Sequence, residues 1–231
     1  MTLVTPETRE RYSEPPMTLR VINQTDPEAF QEWLRLRQTF VEAQGWRYGD
    51  DADVYDEDEE TLHIVSVDDS NQIAAGLRLT LRDEPEQTLS WSMLSSTMQE
   101  EAKGRLPADD PSAIWDLTRL VSGDIDKRAA VTAFFEMLGV GVALNQKLGS
   151  DNPRWYFTTT YPLFAFFRQQ GIEFTPLTRG KISPSDTFDS VFCYADPVER
   201  TEWLQHAPER YQATYEAVSR GIDTVSRGNL T

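Results

Sequence analysis

Two apolar runs, Thr61 to Val67 and Gln72 to Leu81, flank the tetrapeptide Asp68-Asp69-Ser70-Asn71. Aspartate, serine and asparagine favour reversals because their short polar side chains bond nearby backbone groups and tolerate left-handed geometry. The segment predicts an antiparallel hairpin, and a hairpin commits the chain to a sheet. Ile114 to Val121, Trp155 to Thr160 and Phe188 to Ala195 read as further strands, and Leu19 to Ile22 as a short one. Thr25-Asp26-Pro27-Glu28 is a helix start, a capping side chain followed by proline and acid in the first turn. The helix it opens carries Phe30, Trp33, Leu34, Phe40 and Val41 at mostly helical spacing. Helices are also expected over 92–102, over Ala129 to Leu148, from Pro162 to Gln170 with Gly171 ending it, and over 197–226. Hairpin and crossover connections together predict an α+β sheet with helices on its faces. Residues 1–18 are expected to form a flexible tail, 19–196 the domain and 197–231 a helical extension.

A chain of 231 residues, 39% hydrophobic and 26% charged, should be soluble and able to bury one core. Its net charge of −16 argues against nucleic-acid binding, which needs basic surface. No apolar run approaches the roughly 18–20 residues that span a bilayer. Met1 to Thr18 is polar and lacks the apolar centre of a signal peptide. The one cysteine, Cys193, lies in the apolar run Val191 to Ala195. It reads as a buried strand residue rather than a nucleophile, and a lone thiol fits a reducing, cytoplasmic compartment. His63 and His206 have no ligand-spaced neighbours, so no metal site is expected. His63 falls in an apolar strand and reads as a core residue. No glycine-rich nucleotide motif is present.

Several features bear on chemistry. Asp53-Val54-Tyr55-Asp56 lies in an acidic loop, 49–60, and is either a solvated charge run or a cation-binding element. Arg78 sits inside the apolar strand Ala74 to Thr80, where a buried cation must find a partner or reach water. In Ile114-Trp115-Asp116-Leu117-Thr118-Arg119, alternation puts Asp116 and Thr118 on one face. Arg119 falls on the other unless a bulge re-aims it. Asp116 and Arg119 are either a structural pair or part of a site. Lys127-Arg128 precedes the long apolar helix, where two cations at a helix start either face solvent or hold a phosphate. Thr158-Thr159-Thr160 suits a strand, with one hydroxyl available to a cavity.

Taken in order, these pieces resemble the acyl-homoserine-lactone synthases, the bacterial enzymes of quorum-sensing signal synthesis. The resemblance runs from about Leu34 to Phe174. It is carried by Phe40 and Trp46 in LRLRQTFVEAQGW, Asp53 and Asp56 in DVYD, Arg78 in GLRLTL, and Asp116 and Arg119 in IWDLTR. The intervals Phe40 to Trp46 and Asp56 to Arg78 agree with the family. Asp116 stands where the family has glutamate, Arg37 or Arg35 must serve as its early arginine, and the loop from Trp46 to Asp53 is shorter. The resemblance implies an acetyltransferase-like fold, a twisted mixed sheet flanked by helices. It implies two substrates and no permanently bound cofactor. S-adenosylmethionine would supply the amine, and an acyl thioester on acyl carrier protein or coenzyme A the acyl group. Asp56 and Asp116 would be the catalytic carboxylates. Arg37, Phe40, Trp46, Asp53, Arg78 and Arg119 would bind S-adenosylmethionine, and Thr158, Lys127 and Arg128 the acyl chain or thioester. Two other functions fit the same residues: an N-acyltransferase acting on another amine without lactonisation, and a catalytically silent ligand-binding protein.

Overall fold

A computed structural model describes residues 18–22, 26–43, 61–68, 70–108, 114–124, 133–134, 137, 154–169, 174–184 and 186–196. The hairpin forms as the sequence predicts. Strands β2 (Thr61–Val67) and β3 (Ile73–Arg82) pair antiparallel. At the turn, the Asp68 carboxylate accepts from the Ser70 and Gln72 amides at 2.8 and 2.9 Å, and Asn71 takes a positive φ of 61°.

The remaining strands are β1 (Thr18–Ile22), β4 (Ile114–Ser122), β5 (Arg154–Thr160), β6 (Thr175–Gly180) and β7 (Ser190–Ala195). They complete one sheet of order β1-β2-β3-β4-β5-β7-β6. Every neighbouring pair is antiparallel except β4 and β5, so the sheet is mixed, as hairpin plus crossover requires.

Three expectations are corrected. β6 was not foreseen, because Thr175-Pro176-Leu177-Thr178-Arg179 alternates weakly and contains proline. Proline is tolerated there because the strand lies at the sheet edge. The helix expected over 92–102 is α3 (Ser96–Lys103), which starts later because Ser95 caps it, and an unforeseen turn of helix, α2 (Leu89–Ser92), precedes it. The last strand starts at Ser190, leaving Phe188 54% exposed. The helix after β5 is α4 (Tyr161–Gln169). Most of the helix expected over Ala129 to Leu148, the tail before Thr18 and the extension after Asp196 lie outside the described residues.

Cα partners in a ladder share a face, so the register assigns each side chain. One face is apolar: Leu62, Ile64, Leu77, Leu79, Trp115, Leu117, Trp155, Phe157 and Cys193 join helical Phe134 and Met137, and Phe164 and Phe167 of α4, in the largest core cluster. The opposite face is covered by two groups of helices. Helix α1 (Pro27–Ala43) buries Trp33 against Val65, Ile73 and Val121. Gly76 makes this approach possible: a Cβ there would lie 2.6 Å from Cζ3 of the Trp33 ring. Helices α2 and α3 set Trp91, Leu94 and Met98 against Tyr156, Leu177 and Phe192. Truncating one such buried aromatic ring costs about 3–5 kcal/mol, so both helix groups are firmly seated. No helix among the described residues is long and apolar enough to cross a membrane.

Candidate active site

Strands β4 and β5 pair only over Ile114–Asp116 and Arg154–Tyr156. Beyond that point β4 continues along β3 as far as Ser122, and β5 continues along β7 to Thr160, but the two do not pair with each other. Each thus presents an inner edge of backbone donors and acceptors to a gap. Backbone groups away from water require partners, so such an edge is suited to hold an extended ligand.

The gap is lined by Leu117 to Leu120 of β4, Phe157 to Thr159 of β5, and Phe134, Leu163, Phe167 and Phe174. Its apolar side is an aromatic cluster. Phe134 stacks on Phe167 at 4.8 Å between centroids, and Phe174 meets the edges of Phe167 and Phe157 at 5.6 and 4.5 Å.

A bulge shapes the β4 edge. Gly76 and Arg78 of β3 partner Val121 and Thr118 of β4, so the one residue between them on β3, Leu77, faces two on β4, Arg119 and Leu120. The extra length is absorbed at Arg119, whose φ is 57°. A non-glycine residue held there costs on the order of 1–2 kcal/mol, and such strain concentrates at functional sites. Arg119 lines the gap at this bulge.

On the helix-covered face, a polar row crosses the sheet next to the gap. His63, Arg78 and Thr118 are successive register partners, and so are Thr61, Thr80, Asp116 and Tyr156. Arg78 is fully buried, and its Nε donates to Thr118 Oγ1 at 3.0 Å. Thr61 and Thr80 share a hydroxyl–hydroxyl bond of 3.1 Å. Trp33 Nε1 donates to His63 Nδ1 at 2.8 Å. That fixes His63 as a hydrogen-bonded core residue, as its apolar strand implies.

Asp116 is 1% exposed. Its Oδ2 accepts from the Leu89 and Ser90 amides at 2.8 and 3.4 Å. Burial holds its carboxyl above the usual carboxylate range, opposed by the Ser90 hydroxyl, the Arg78 charge and the two amides. Thr158 lines the gap from β5, and its hydroxyl donates to the Ser90 carbonyl at 2.9 Å. Elsewhere, burial pushes the Cys193 thiol well up, consistent with an inert core residue. It also raises the Tyr156 hydroxyl to about 12, against the pull of Arg154.

Of the residues singled out from sequence, Arg78, Asp116, Arg119 and Thr158 converge on the gap and its polar row. Arg37 and Phe40 lie farther along α1. Arg37 is buried with its guanidinium 5.8 Å from the Trp33 ring centroid, and Phe40 packs on the Trp33 cluster. Trp46, Asp53, Asp56, Lys127 and Arg128 lie outside the described residues. Sequence reasoning missed the α2 backbone, Thr61, Thr80 and the partnership of His63 with Trp33. Thr88, which caps α2 by accepting from the Trp91 amide, was the one local signal for the first of these. Alternation along β2 and β3 was the signal for the two threonines.

No protein-family model matches the sequence, and no curated protein matches it. Solved structures do resemble it. A CoA-dependent acyl-homoserine lactone synthase, BjaI, solved with MTA, is 18% identical at a TM-score of 0.59, over 83% of this chain and 89% of that one. FeeM, an N-acyl amino acid synthase from uncultured soil microbes, is 11% identical at 0.57, over 80% and 98%. An acyl-CoA N-acyltransferase from Pseudomonas aeruginosa is 17% identical at 0.52, over 78% and 99%. The chain has the acetyltransferase-like α+β fold that these proteins share, and its sequence resemblance to the lactone synthases has a counterpart in structure.

Proposed function

We propose that this protein is an acyl-homoserine-lactone synthase, transferring an acyl group from a thioester to the amine of S-adenosylmethionine and closing the lactone. One observation carries this reading: the gap between β4 and β5 joins an aromatic-lined cavity to a buried row of cationic and hydroxyl groups. The acyl chain lies among Phe134, Phe157, Phe167 and Phe174. The thioester carbonyl lies near Thr118 and Thr158, where inner-edge N–H groups meet the negative charge that develops on its oxygen.

The substrate amine is an ammonium at neutral pH and must lose a proton before it attacks. Asp56 receives that proton, directly or through water, and Asp53 helps hold the cationic substrate. The neutral amine attacks the carbonyl carbon, the C–S bond of the thioester breaks, and the thiolate leaves and is protonated. A carboxylate oxygen of the acylated substrate then attacks the carbon bearing the sulfonium. That C–S bond breaks, and neutral methylthioadenosine departs with the sulfur's electron pair. Arg119 at the bulge and Arg78 in the row supply the positive charge that orders the substrate carboxylate, for which a guanidinium fork is well shaped. Arg37, Phe40 and Trp46 bound the nucleoside, and Lys127 and Arg128 the donor's phosphates.

A second reading is favoured by the comparable structural likeness to an N-acyl amino acid synthase: the acceptor is another amine and no lactone forms. The two readings differ in one product. Purified protein is incubated with S-adenosylmethionine and a panel of acyl thioesters on coenzyme A and on acyl carrier protein, and products are read by mass spectrometry. Methylthioadenosine and an acyl-homoserine lactone appearing together are expected. Thioester consumed only when a different amine is added establishes the second reading. No turnover by folded protein with any amine removes both.

A further inference from the structure

We propose that the α2 turn is a clasp that sets the width of the gap between β4 and β5, and that Asp116 is a positioning residue holding the β4 end of it. The inference rests on the gap being the acyl-donor site.

The two strands lose each other as ladder partners immediately after Asp116 and Tyr156, and at that point α2 takes over. On the β4 side, Asp116 Oδ2 accepts from the Leu89 and Ser90 amides. On the β5 side, Thr158 Oγ1 donates to the Ser90 carbonyl at 2.9 Å. One residue, Ser90, is therefore tied to both strands through its own backbone.

The clasp is anchored independently of both. Thr88 accepts from the Trp91 amide at 3.1 Å and donates to the Pro85 carbonyl at 2.6 Å. Trp91 meets the Phe192 ring at 5.7 Å. The free amides at a helix start require acceptors, and Asp116 supplies one from 26 and 27 residues away in sequence.

Both amides bind Oδ2 while Oδ1 has no hydrogen-bond partner among the described residues, but at 1% exposure Asp116 is shielded from a substrate amine in the gap. The two amide hydrogen bonds suit it to hold a fixed distance. The aspartate side chain spans that distance, and a glutamate, one methylene longer, would displace α2. This separates a clasp from a base: a base tolerates glutamate, whereas a clasp does not.

The test uses the full chain and three variants, Asp116→Asn, Asp116→Glu and Thr158→Val. Losing a buried hydrogen bond shifts an equilibrium by up to about tenfold. Each variant is expected to raise KM for the acyl donor by about that factor. The pH dependence of kcat should be unchanged, because none of the three variants removes the group that takes the proton. Asp116→Glu is expected to give no rescue. Thr158→Val combined with Asp116→Asn should be no worse than the poorer single variant, because either end opens the clasp.

Loss of kcat by about a hundredfold or more in Asp116→Asn, with donor KM unchanged, the rise of activity with pH abolished and activity restored by glutamate, overturns the inference and makes Asp116 a base. A second measurement does not depend on turnover. Amide hydrogen exchange at Leu89 and Ser90 should quicken by about tenfold in both Asp116→Asn and Thr158→Val. Unchanged protection in both variants overturns the clasp. Failure of the wild-type protein to bind a non-transferable S-alkyl coenzyme A or an alkylated carrier protein would instead overturn the donor-site reading, with the exchange data still deciding whether the clasp exists.

Discussion

Arg119 shows how one residue combines cost and purpose. Its positive φ of 57° is a conformation that glycine adopts freely. Arg119→Gly should therefore raise the urea midpoint, by a gain on the order of 1 kcal/mol, while cutting acyl transfer sharply. A variant that loses stability as well as activity would show that the guanidinium's contacts outweigh the backbone strain. Asp116 gives a pH prediction. Its carboxyl is raised in the folded state, chiefly by burial, so folding favours the protonated form. That contribution is fully present below the ordinary carboxylate pKa and is lost as pH rises through the folded value. Asp116→Asn, which cannot ionise, should therefore gain on wild type in unfolding free energy as pH rises above the ordinary carboxylate range. A difference between the two proteins that stays flat over that rise would mean that the carboxylate is stabilised as well as it is in water.

At the scale of elements, the aromatic side of the gap sets what it can receive. Phe167, at the inner face of α4, stacks on Phe134 and touches Phe174 edge-on. Phe167→Ala should destabilise the fold by about 3–5 kcal/mol and shift the preferred acyl donor to longer chains. One methylene in an apolar pocket discriminates by roughly 10- to 200-fold, so a panel of thioesters of increasing length resolves the change. An unaltered optimum would place the end of the acyl chain elsewhere. The same scale shows why some elements were legible and others were not. β2, β3 and β5 are apolar runs buried along much of their length, and the hairpin turn advertises itself. β6 is an exposed edge with a proline, and its existence depends on β7 beside it. Helix α3 starts at Ser96 rather than Ser92 because Ser95 caps it, and the short α2 before it carries no periodic signal.

Across the whole molecule, a net charge of −16 repels other acidic macromolecules at long range. Acyl carrier protein is acidic. Where it is the donor's carrier, added salt should speed the reaction by screening that repulsion, since the Debye length falls from about 10 Å at 0.1 M to about 3 Å at 1 M. A rate that falls with salt would locate a basic docking patch strong enough to overcome the global field.

The sequence by itself determined what is local. Alternation put Asp116 and Thr118 on one face, named Arg78 as a cation needing company, and assigned Cys193 and His63 to the core. The order of strands and helices limited the fold to a mixed sheet. Only the tertiary structure decided where β4 and β5 separate, that Arg119 takes up a bulge, and that Ser90 ties the separated strands together. Side-chain periodicity is written in residues two or four apart, and each such signal survives in isolation. A gap between parallel strands is a relation between segments 40 residues apart, joined by a third segment upstream of both. It exists only once all three have packed, and no window of sequence contains it.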